Sequence, residues 1–315
     1  MPYGTQANPN NARSHWTWGG KLWMFAIAIL PLLVAYLLFW IYPIAATFVY
    51  SFTDWRAFAS EHTYKGLNNY TQAFRDPIFI KSLANTFTFV AMYLPIVIAG
   101  GLFLALLINA AGKLKELFRM IYFIPVVTSV IATAFVWRYM YQPRIGIFNL
   151  ALDSLNLPPQ RWLLDTNQAL FSVVLYAAWQ SIGLNVVWFL AGLTTIDRSY
   201  YDAALVDGAN PRQLFWHITM PLLRPTLAFV TIIGAINAFQ IFGPIYIMTS
   251  TGISSGDSPP GGPANATMVV VLYQWLTAFR ELNLGYGAAM GVILLALILV
   301  LTLIQFRLFR SRWEY

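Results

Sequence analysis

The chain has 315 residues, of which 58% are hydrophobic and 10% are charged. An average soluble domain carries roughly 25% charged residues, so this composition predicts a protein embedded in lipid. The formal charge of +7 comes from basic residues scattered among the loops without a dense run, which argues against nucleic acid as a partner. Cysteine is absent, which excludes disulfides, thiolate nucleophiles and thiolate metal sites.

Uncharged stretches long enough to cross a bilayer follow a polar N-terminal tail at residues 1–21. A membrane-spanning helix needs about 20 apolar residues. Six stretches are compatible with that length, the third being the tightest fit: 22–53, 82–112, 120–137, 166–196, 225–256 and 282–306. The sequence therefore predicts an all-α integral membrane protein. Its six transmembrane helices would occupy residues 22–310, followed by a short C-terminal tail at 311–315.

A shorter apolar stretch at 268–279 follows the Pro- and Gly-rich segment 258–263. Its length lies in the range of about 10 to 14 residues that is typical of interfacial or re-entrant segments. We predict a re-entrant helix that packs on the outer face beside the last span. The segments 56–81 and 138–167 are predicted to be external loops, the second with a short interfacial helix before a Pro-Pro turn.

The lysines and arginines predict which side of the membrane each loop faces. Six crossings put both termini on one side, together with loops 111–119 and 194–224. These tails and loops hold 11 basic and 5 acidic residues, a net charge of +6, whereas the opposite loops hold 8 basic and 7 acidic residues, a net charge of +1. Because cytoplasmic loops carry an excess of lysine and arginine, both termini and the 194–224 loop are expected to be cytoplasmic.

The most polar segment within this apolar chain, residues 198–225, is predicted to form two short helices joined by a sharp turn. Ser199 and Asp202 have the spacing of a capping box, so we expect the first helix to begin at Ser199. Gly208 is expected to end that helix, because glycine readily takes the left-handed conformation that such turns need.

The second helix of this hairpin has its own start and stop signals. Asn210, Pro211 and Gln213 supply an N-cap, a helix-initiating proline and a capping partner. Pro221 is expected to end the helix, because proline lacks a backbone N–H. An apolar face with helical spacing is formed by Leu214, Phe215 and Ile218.

The same hairpin resembles the EAA loop of the permease subunits of bacterial ABC importers. The residues that carry the resemblance are Asp202, Ala203, Ala204, Asp207, Gly208, Ala209, Phe215, Ile218, Pro221 and Pro225. In that family the loop forms coupling helices, which sit in a groove of a cytoplasmic ATPase and carry its closing motion into the membrane. The family's usual opening acid is Glu, and Asp202 is one methylene shorter. A structural interpretation stays open, in which Asp202 caps its helix and Asp207 bonds the turn backbone.

Patterns elsewhere resemble the carbohydrate-type branch of these permeases, which includes the maltose and glycerol-phosphate importers. They comprise Pro43, the runs 51–55 and 66–70, Asn85, Thr86, Arg119, Pro125, Trp137, Gly146 and Asn149. The resemblance implies a multi-pass protein of a prokaryotic cell membrane that pairs with a homologous second permease. It also implies a dimer of ATPase subunits, which bind ATP and Mg²⁺, and an extracytoplasmic solute-binding protein that delivers a sugar.

Several features argue against catalysis by the chain itself. It has no phosphate-cradling loop of the GxxxxGK type, so ATP hydrolysis is expected in a separate subunit. His15, His62 and His217 lie in a tail, an outer loop and the hairpin, so no two of them are placed to share a metal. We therefore predict a non-catalytic transmembrane subunit with no cofactor of its own.

Uncharged polar and aromatic residues at membrane depth are the candidates for contact with a solute. They are Trp179, Gln180 and Asn185 in the fourth predicted span, and Asn237, Phe239 and Gln240 in the fifth. Amides are costly when they face lipid, whereas a sugar takes hydrogen bonds from amides and contacts aromatic rings with its CH faces. The amides could instead bridge helices, and the partner permease could make most of the sugar contacts.

We interpret the chain as a permease subunit of an ATP-driven ABC importer that forms half of the translocation pathway for a sugar or oligosaccharide. Two alternatives stay open. One is an importer permease for another solute, such as glycerol phosphate or a peptide. The other is a channel or membrane assembly protein that has no ATPase partner.

Overall fold

The computed structural model describes residues 18–56, 63–250 and 260–309. Within these ranges every named element is helical, and β-type pairing is confined to two isolated bridges, so the predicted all-α class is confirmed. The predicted C-terminal tail and residues 1–17 of the predicted N-terminal tail lie outside the described residues. The chain divides into two units, Met1–Val49 and Tyr50–Tyr315.

The described part of the first unit is helical throughout. It consists of α1 (Trp18–Tyr36), a π-helical turn (Leu37–Ile41) and α2 (Tyr42–Tyr50), which extends one residue beyond the unit. The wide turn precedes Pro43, which has no N–H to donate to the carbonyl of Phe39. Residues Ile29–Tyr50 are apolar and long enough to cross a membrane, which agrees with the first predicted span.

The second unit contains the remaining helices. In chain order these are α3 (Asn68–Ala73), α4 (Pro77–Ala110), α5 (Lys115–Val127), α6 (Val130–Met140), α7 (Ile147–Ser154), α8 (Ala169–Thr194), α9 (Arg198–Val206), α10 (Pro211–Leu214), α11 (Met220–Leu222), α12 (Arg224–Phe239), α13 (Gly243–Thr249), α14 (Val270–Trp275) and α15 (Leu284–Phe309). Two further π-helical segments, Phe215–Thr219 and Leu276–Arg280, continue α10 and α14.

Helices α4 and α8 form the centre of this unit and run parallel to each other. Tyr93 of α4 donates to the Ser181 hydroxyl of α8 over 2.7 Å. Gly101 lies about two turns after Tyr93, and Asn185 lies about one turn after Ser181. A Cβ atom added to Gly101 would lie 2.9 Å from the Cβ of Asn185. The two helices therefore pack closely over several turns.

Helix α12 runs antiparallel to α8. Gly192, near the end of α8, lies against Thr226, near the start of α12, and the rings of Trp188 and Phe229 are 5.1 Å apart. The helix directions therefore put residues 51–76, 141–168, 240–250 and 260–283 at one end of the unit, hereafter the loop end. Residues 111–114 and 195–223 lie at the other end, hereafter the hairpin end.

The third predicted span is not one straight helix. α5 and α6 meet at 94°, and the break falls at Thr128 and Ser129. Pro125 lacks the N–H that would continue the helix, and the Thr128 hydroxyl donates to the Pro125 carbonyl over 2.7 Å. Ser129, which is extended, then caps α6 by accepting from the Ala132 N–H. Residues 120–137 therefore lie on two helices, and the single crossing predicted there holds if this bent pair counts as one span.

A second bend of 63° separates Pro211–Leu222 from α12. The fifth predicted span is also interrupted, because α12 ends at Phe239 and α13 begins at Gly243. By length and composition, four described helices can cross a membrane, or up to six if each bent pair is one span. The four are Ile29–Tyr50, Pro77–Ala110, Ala169–Thr194 and Leu284–Phe309.

Two short predicted helices are present at the loop end. α7 precedes Pro158 and Pro159, as the interfacial helix was expected to do. α14 with its π-helical continuation covers 270–280 and packs against α4 and α15. The Thr86 hydroxyl of α4 accepts from the Val270 N–H over 3.0 Å and so fixes the start of this helix.

Asp76 connects three of these elements at the loop end. One carboxylate oxygen accepts from the Ile78 N–H over 2.8 Å and caps α4, and the other accepts from the hydroxyls of Tyr273 at 2.5 Å and Tyr286 at 2.9 Å. Burial alone would raise the pKa of the Asp76 carboxyl, but these hydrogen bonds hold that pKa below its usual value. The charged form therefore joins α4 to α14 and α15.

Candidate functional site

The first helix of the hairpin, α9, begins one residue earlier than predicted. Its N-cap is Asp197, whose backbone is extended and whose carboxylate accepts from the Ser199 N–H over 2.8 Å. This bond lowers the pKa of the Asp197 carboxyl. The capping box expected for Ser199 and Asp202 is wrong, because the adjacent carboxylate of Asp197 already takes the first free N–H group.

The turn after α9 is a Schellman motif with Gly208 in the left-handed conformation, at φ +81°. The Gly208 N–H donates to the Leu205 carbonyl over 3.0 Å, and the Ala209 N–H donates to the Ala204 carbonyl over 2.9 Å. These two bonds pair the last carbonyls of α9. The predicted role of Gly208 in ending the first helix is confirmed.

The second helix begins with the predicted capping box. The Asn210 N–H donates to Gln213 Oε1 over 2.8 Å, and the Gln213 N–H donates to Asn210 Oδ1 over 3.0 Å. We expected this helix to end at Pro221, but it continues to Leu222. Proline is accommodated because the preceding π-helical segment widens the turn, with the Met220 N–H bonding the Phe215 carbonyl.

The predicted coupling residues lie on both faces of the hairpin. Asp202, Ala203, Asp207 and Gly208 are exposed, whereas Ala204, Ala209, Phe215, Ile218 and Pro221 are partly buried. A cleft of about 340 Å³ between the two helices is lined by Ala204, Asp207, Gly208, Ala209, Gln213, Leu214, His217 and Ile218.

The carboxylates of the two acids of the hairpin, Asp202 and Asp207, make no ion pair or hydrogen bond with the described residues. Among the described residues, the ion pairs involve Asp54 alone, and no side-chain hydrogen bond reaches Asp202 or Asp207. The structural interpretation, in which Asp202 caps the helix and Asp207 bonds the turn, is therefore wrong. Both carboxylates are left available to a partner.

Sequence reasoning missed the exposed apolar side chains of the hairpin. Val206, at the tip beside the turn, is 88% exposed. Three more large side chains of the hairpin are each 56% exposed: Tyr200, Leu205 and Trp216. The signal was present in the sequence as apolar residues inside the most polar loop, but their exposure depends on the turn at Gly208.

The six candidates for solute contact separate into two groups. Asn185 and Phe239 are 4% and 3% exposed and pack inside this chain. Trp179, Gln180, Asn237 and Gln240, hereafter the polar strip, are exposed or half-buried. Because α8 and α12 are antiparallel with Trp188 beside Phe229, Asn237 lies at about the level of Gln180.

Both buried candidates have partners within this chain. Asn185 donates from its amide nitrogen to the Ser181 carbonyl over 3.0 Å, and its Oδ1 atom has no partner among the described residues. The Phe239 ring lies 5.4 Å from Phe87 in an edge-to-face arrangement. These positions place Asn185 and Phe239 in helix packing.

Trp179 is the exposed edge of an aromatic cluster. Its ring lies 5.2 Å from Trp137 and 6.2 Å from Tyr176. The Tyr176 hydroxyl donates to the Val130 carbonyl at the start of α6 over 2.8 Å, so this ring is fixed. Trp179, 37% exposed, is thus held as a rigid aromatic surface.

The described residues contain no group of three His, Asp or Glu side chains that could hold a metal ion. His217 contacts the Gln213 carbonyl within its own helix, and His15 and His62 lie outside the described residues.

Residues 73–314 match the family described as binding-protein-dependent transport system inner membrane component. The chain belongs to this family. It is 35% identical over 280 residues to the arabinooligosaccharides transport system permease protein AraP of Bacillus subtilis, covering 88% of this chain and 86% of that one. It is also 30% identical over 293 residues to the sn-glycerol-3-phosphate transport system permease protein UgpA of Yersinia pestis, covering 93% and 96%. The resemblance stated from the hairpin is confirmed.

The fold of this permease is also similar to that of a solved structure. A chain in the crystal structure of a bacterial ABC transporter involved in the import of the acidic polysaccharide alginate superposes with a TM-score of 0.79 at 20% identity. The superposition covers 93% of this permease and 97% of that chain, which shows a common fold. The hairpin, α8 and α12 all lie within the residues that match the family.

Proposed function

We propose that this permease forms half of the translocation pathway of an ATP-driven importer and that its hairpin binds a separate ATPase. The observation that carries the proposal is the hairpin surface, on which Val206 is 88% exposed beside the unpaired carboxylates of Asp202 and Asp207. Fully burying a side chain of this kind contributes roughly 1.5–3 kcal/mol. Tyr200, Leu205 and Trp216 of the same hairpin are each 56% exposed, and a group of exposed apolar side chains rimmed by polar residues is typical of a surface that another protein covers.

The hairpin is placed to move the helices that carry the polar strip. Its first helix follows α8 after Ile196, and its second helix continues into α12 at Leu223. All six candidates for solute contact lie on α8 or directly at α12, the two helices that the hairpin joins. A push on the hairpin by a closing ATPase therefore shifts α8 and α12 before any other helix.

We assign the hairpin end to the cytoplasm on the loop charges of +6 against +1. Six crossings, with α5 and α6 counted as one span and α12 as the fifth, put both termini on that side. ATP and Mg²⁺ bind to the ATPase dimer, so this chain is a non-catalytic subunit. A homologous second permease completes the pathway, in the cell membrane of a prokaryote.

The solute is proposed to be a sugar or oligosaccharide that a solute-binding protein delivers. Support comes from the relatives, since one is named for arabinooligosaccharides and the similar structure for alginate. The polar strip fits this class, because Trp179 offers an aromatic face and Gln180, Asn237 and Gln240 offer amides. A relative named for sn-glycerol-3-phosphate keeps a sugar phosphate or a related solute as the second candidate.

The ATPase assignment is tested by placing a charge on the exposed tip. In Val206→Asp, a carboxylate would have to be buried in the apolar contact, so we expect the ATPase to be lost on purification of the permease pair. Loss of roughly 1.5–3 kcal/mol of binding corresponds to about 10- to 150-fold weaker attachment. Leu155→Asp is the matched control, because Leu155 is 68% exposed at the loop end.

Three results separate the candidates. Equal ATPase recovery from Val206→Asp and Leu155→Asp would contradict the docking surface. A parent permease that recovers no ATPase while staying folded would favour a channel or an assembly protein. Thermal-shift screening of the cognate solute-binding protein against neutral sugars and sugar phosphates decides between the two solute classes.

A further inference from the structure

A cavity of about 500 Å³ opens at the loop end, at the opposite end of the unit from the hairpin. It lies where the C-terminal ends of α6 and α13 meet the loop segments 141–143, 161–164 and 262–265. Its floor is apolar, since Tyr141, Leu163 and Met248 are each less than a tenth exposed. None of the six candidates for solute contact lines it.

Two arginines line this cavity, and the part of the chain that the structure describes places no acid among its lining residues. Arg138 is partly buried and donates from Nη1 to the Ile247 carbonyl over 3.2 Å, which anchors it to α13. Arg161 is exposed at the rim. No Asp or Glu is among the lining residues, and the ion pairs of the described residues all involve Asp54.

The chemistry of the cavity favours a carboxylate on an apolar stem. A guanidinium has five N–H donors in a planar fork that matches the two oxygens of a carboxylate. A positive charge over a floor that excludes water is stabilised when an anion enters. The methylenes of a Glu side chain would then lie against Leu163 and Met248 while its carboxylate reaches Arg161.

We propose that this cavity, hereafter the arginine cavity, receives an acidic side chain of the solute-binding protein when that protein docks on the loop end. The inference rests on the proposed function, because it needs an importer that is supplied by such a protein. A protein is favoured over the free solute because the walls are built from loops at the end of the helices, and none of the six candidates for solute contact lines the cavity. The volume of about 500 Å³ also accommodates more than one side chain of a docking loop.

The test measures docking of the solute-loaded binding protein to the complete transporter in lipid nanodiscs. Arg161→Glu reverses the charge at the rim, and we expect the Kd of docking to rise by about tenfold or more. Arg161→Gln removes the charge without repulsion, and we expect a smaller rise in Kd with a weaker salt dependence. Arg144→Glu is the matched control, since Arg144 is exposed in the same loop but does not line the cavity.

Retention of the ATPase and of its basal activity in all three variants shows that the transporter is intact. If Arg161→Glu and Arg144→Glu then dock the binding protein with the same Kd, the proposal is overturned. A parent transporter that recovers neither ATPase nor binding protein contradicts the proposed function instead. Binding of labelled glucuronate without the binding protein, lost in Arg161→Glu, would make the cavity a solute site and also overturn the proposal.

Asp257, which lies outside the described residues, is the nearest acid in sequence to Ser250 of the lining. A docking defect in Asp257→Asn equal to that of Arg161→Glu would show that this chain supplies the carboxylate, again overturning it.

Discussion

Gly208→Val tests whether the geometry of the hairpin turn is needed for coupling. Gly208 has φ +81°, and no heavy atom lies within 4 Å of the position where a Cβ atom would be. The added Cβ atom therefore meets no side chain or distant backbone, and the expected cost comes from the backbone conformation. A β-branched residue resists this left-handed conformation.

The local cost of the substitution is about 1–3 kcal/mol. Because 1.4 kcal/mol corresponds to a factor of about ten, the equilibrium ratio of native to non-native turns falls by roughly 5- to 150-fold. The two hydrogen bonds of the turn, to the carbonyls of Ala204 and Leu205, are lost together. The long helices lie outside this motif, so the permease is expected to insert and pair normally.

The assay is co-purification of the ATPase with the permease pair, together with solute transported per ATP hydrolysed in reconstituted vesicles. Gly112→Val is the matched control, since Gly112 has φ +56°, has the same open surroundings and lies at the same end of the molecule. Gly208→Asn is the rescue variant, because asparagine tolerates the left-handed conformation. ATPase recovery and coupling in Gly208→Val equal to those of Gly112→Val would refute the reasoning.

Three further predictions follow from the structure. Asn237→Leu is expected to lower solute uptake while leaving ATPase stimulation by the binding protein partly intact, whereas Asn185→Leu keeps uptake because Asn185 is buried; equal uptake in the two variants would contradict the division. A single cysteine at Ser154 should react with a membrane-impermeant thiol reagent in intact cells lacking the ATPase, and one at Ser199 only after permeabilisation; the reverse pattern would overturn the orientation. Asp76→Asn should lower the free energy of unfolding by about 1–3 kcal/mol, read from thermal midpoints in detergent, because Tyr273 and Tyr286 lose a charged acceptor. The Asp76 contribution is complete above the unfolded pKa of about 3.9 and is lost as pH falls through the lower folded pKa, so it does not change between pH 8 and pH 5.

Features set by neighbouring residues could be predicted from the sequence. The capping box of Asn210 and Gln213 and the left-handed Gly208 depend on a few adjacent residues, and the structure has both. The start of α9 was misplaced because Asp197 and Ser199 are both good N-caps, and their competition is decided by backbone conformation.

Features set by distant contacts could not be predicted in the same way. Asn185 and Asn237 are both amides at membrane depth, but only Asn185 faces a close-packed partner, Gly101 of α4. The 94° bend, by contrast, is set locally at Thr128 and Ser129, and the prediction missed it because the uncharged residues there look like part of a continuous span. The arginine cavity joins segments more than 100 residues apart, so no local pattern indicates it.

The central claim is that the tip of the hairpin binds an ATPase, and site-specific photo-crosslinking from Val206 tests it most directly. A photoreactive amino acid at Val206, which is 88% exposed, is activated in membranes that contain the assembled importer. The same amino acid at Leu155, exposed at the loop end, is the control. We expect an ATPase adduct from position 206 and none from position 155. An importer that transports its solute but forms no ATPase adduct from position 206 would contradict the claim.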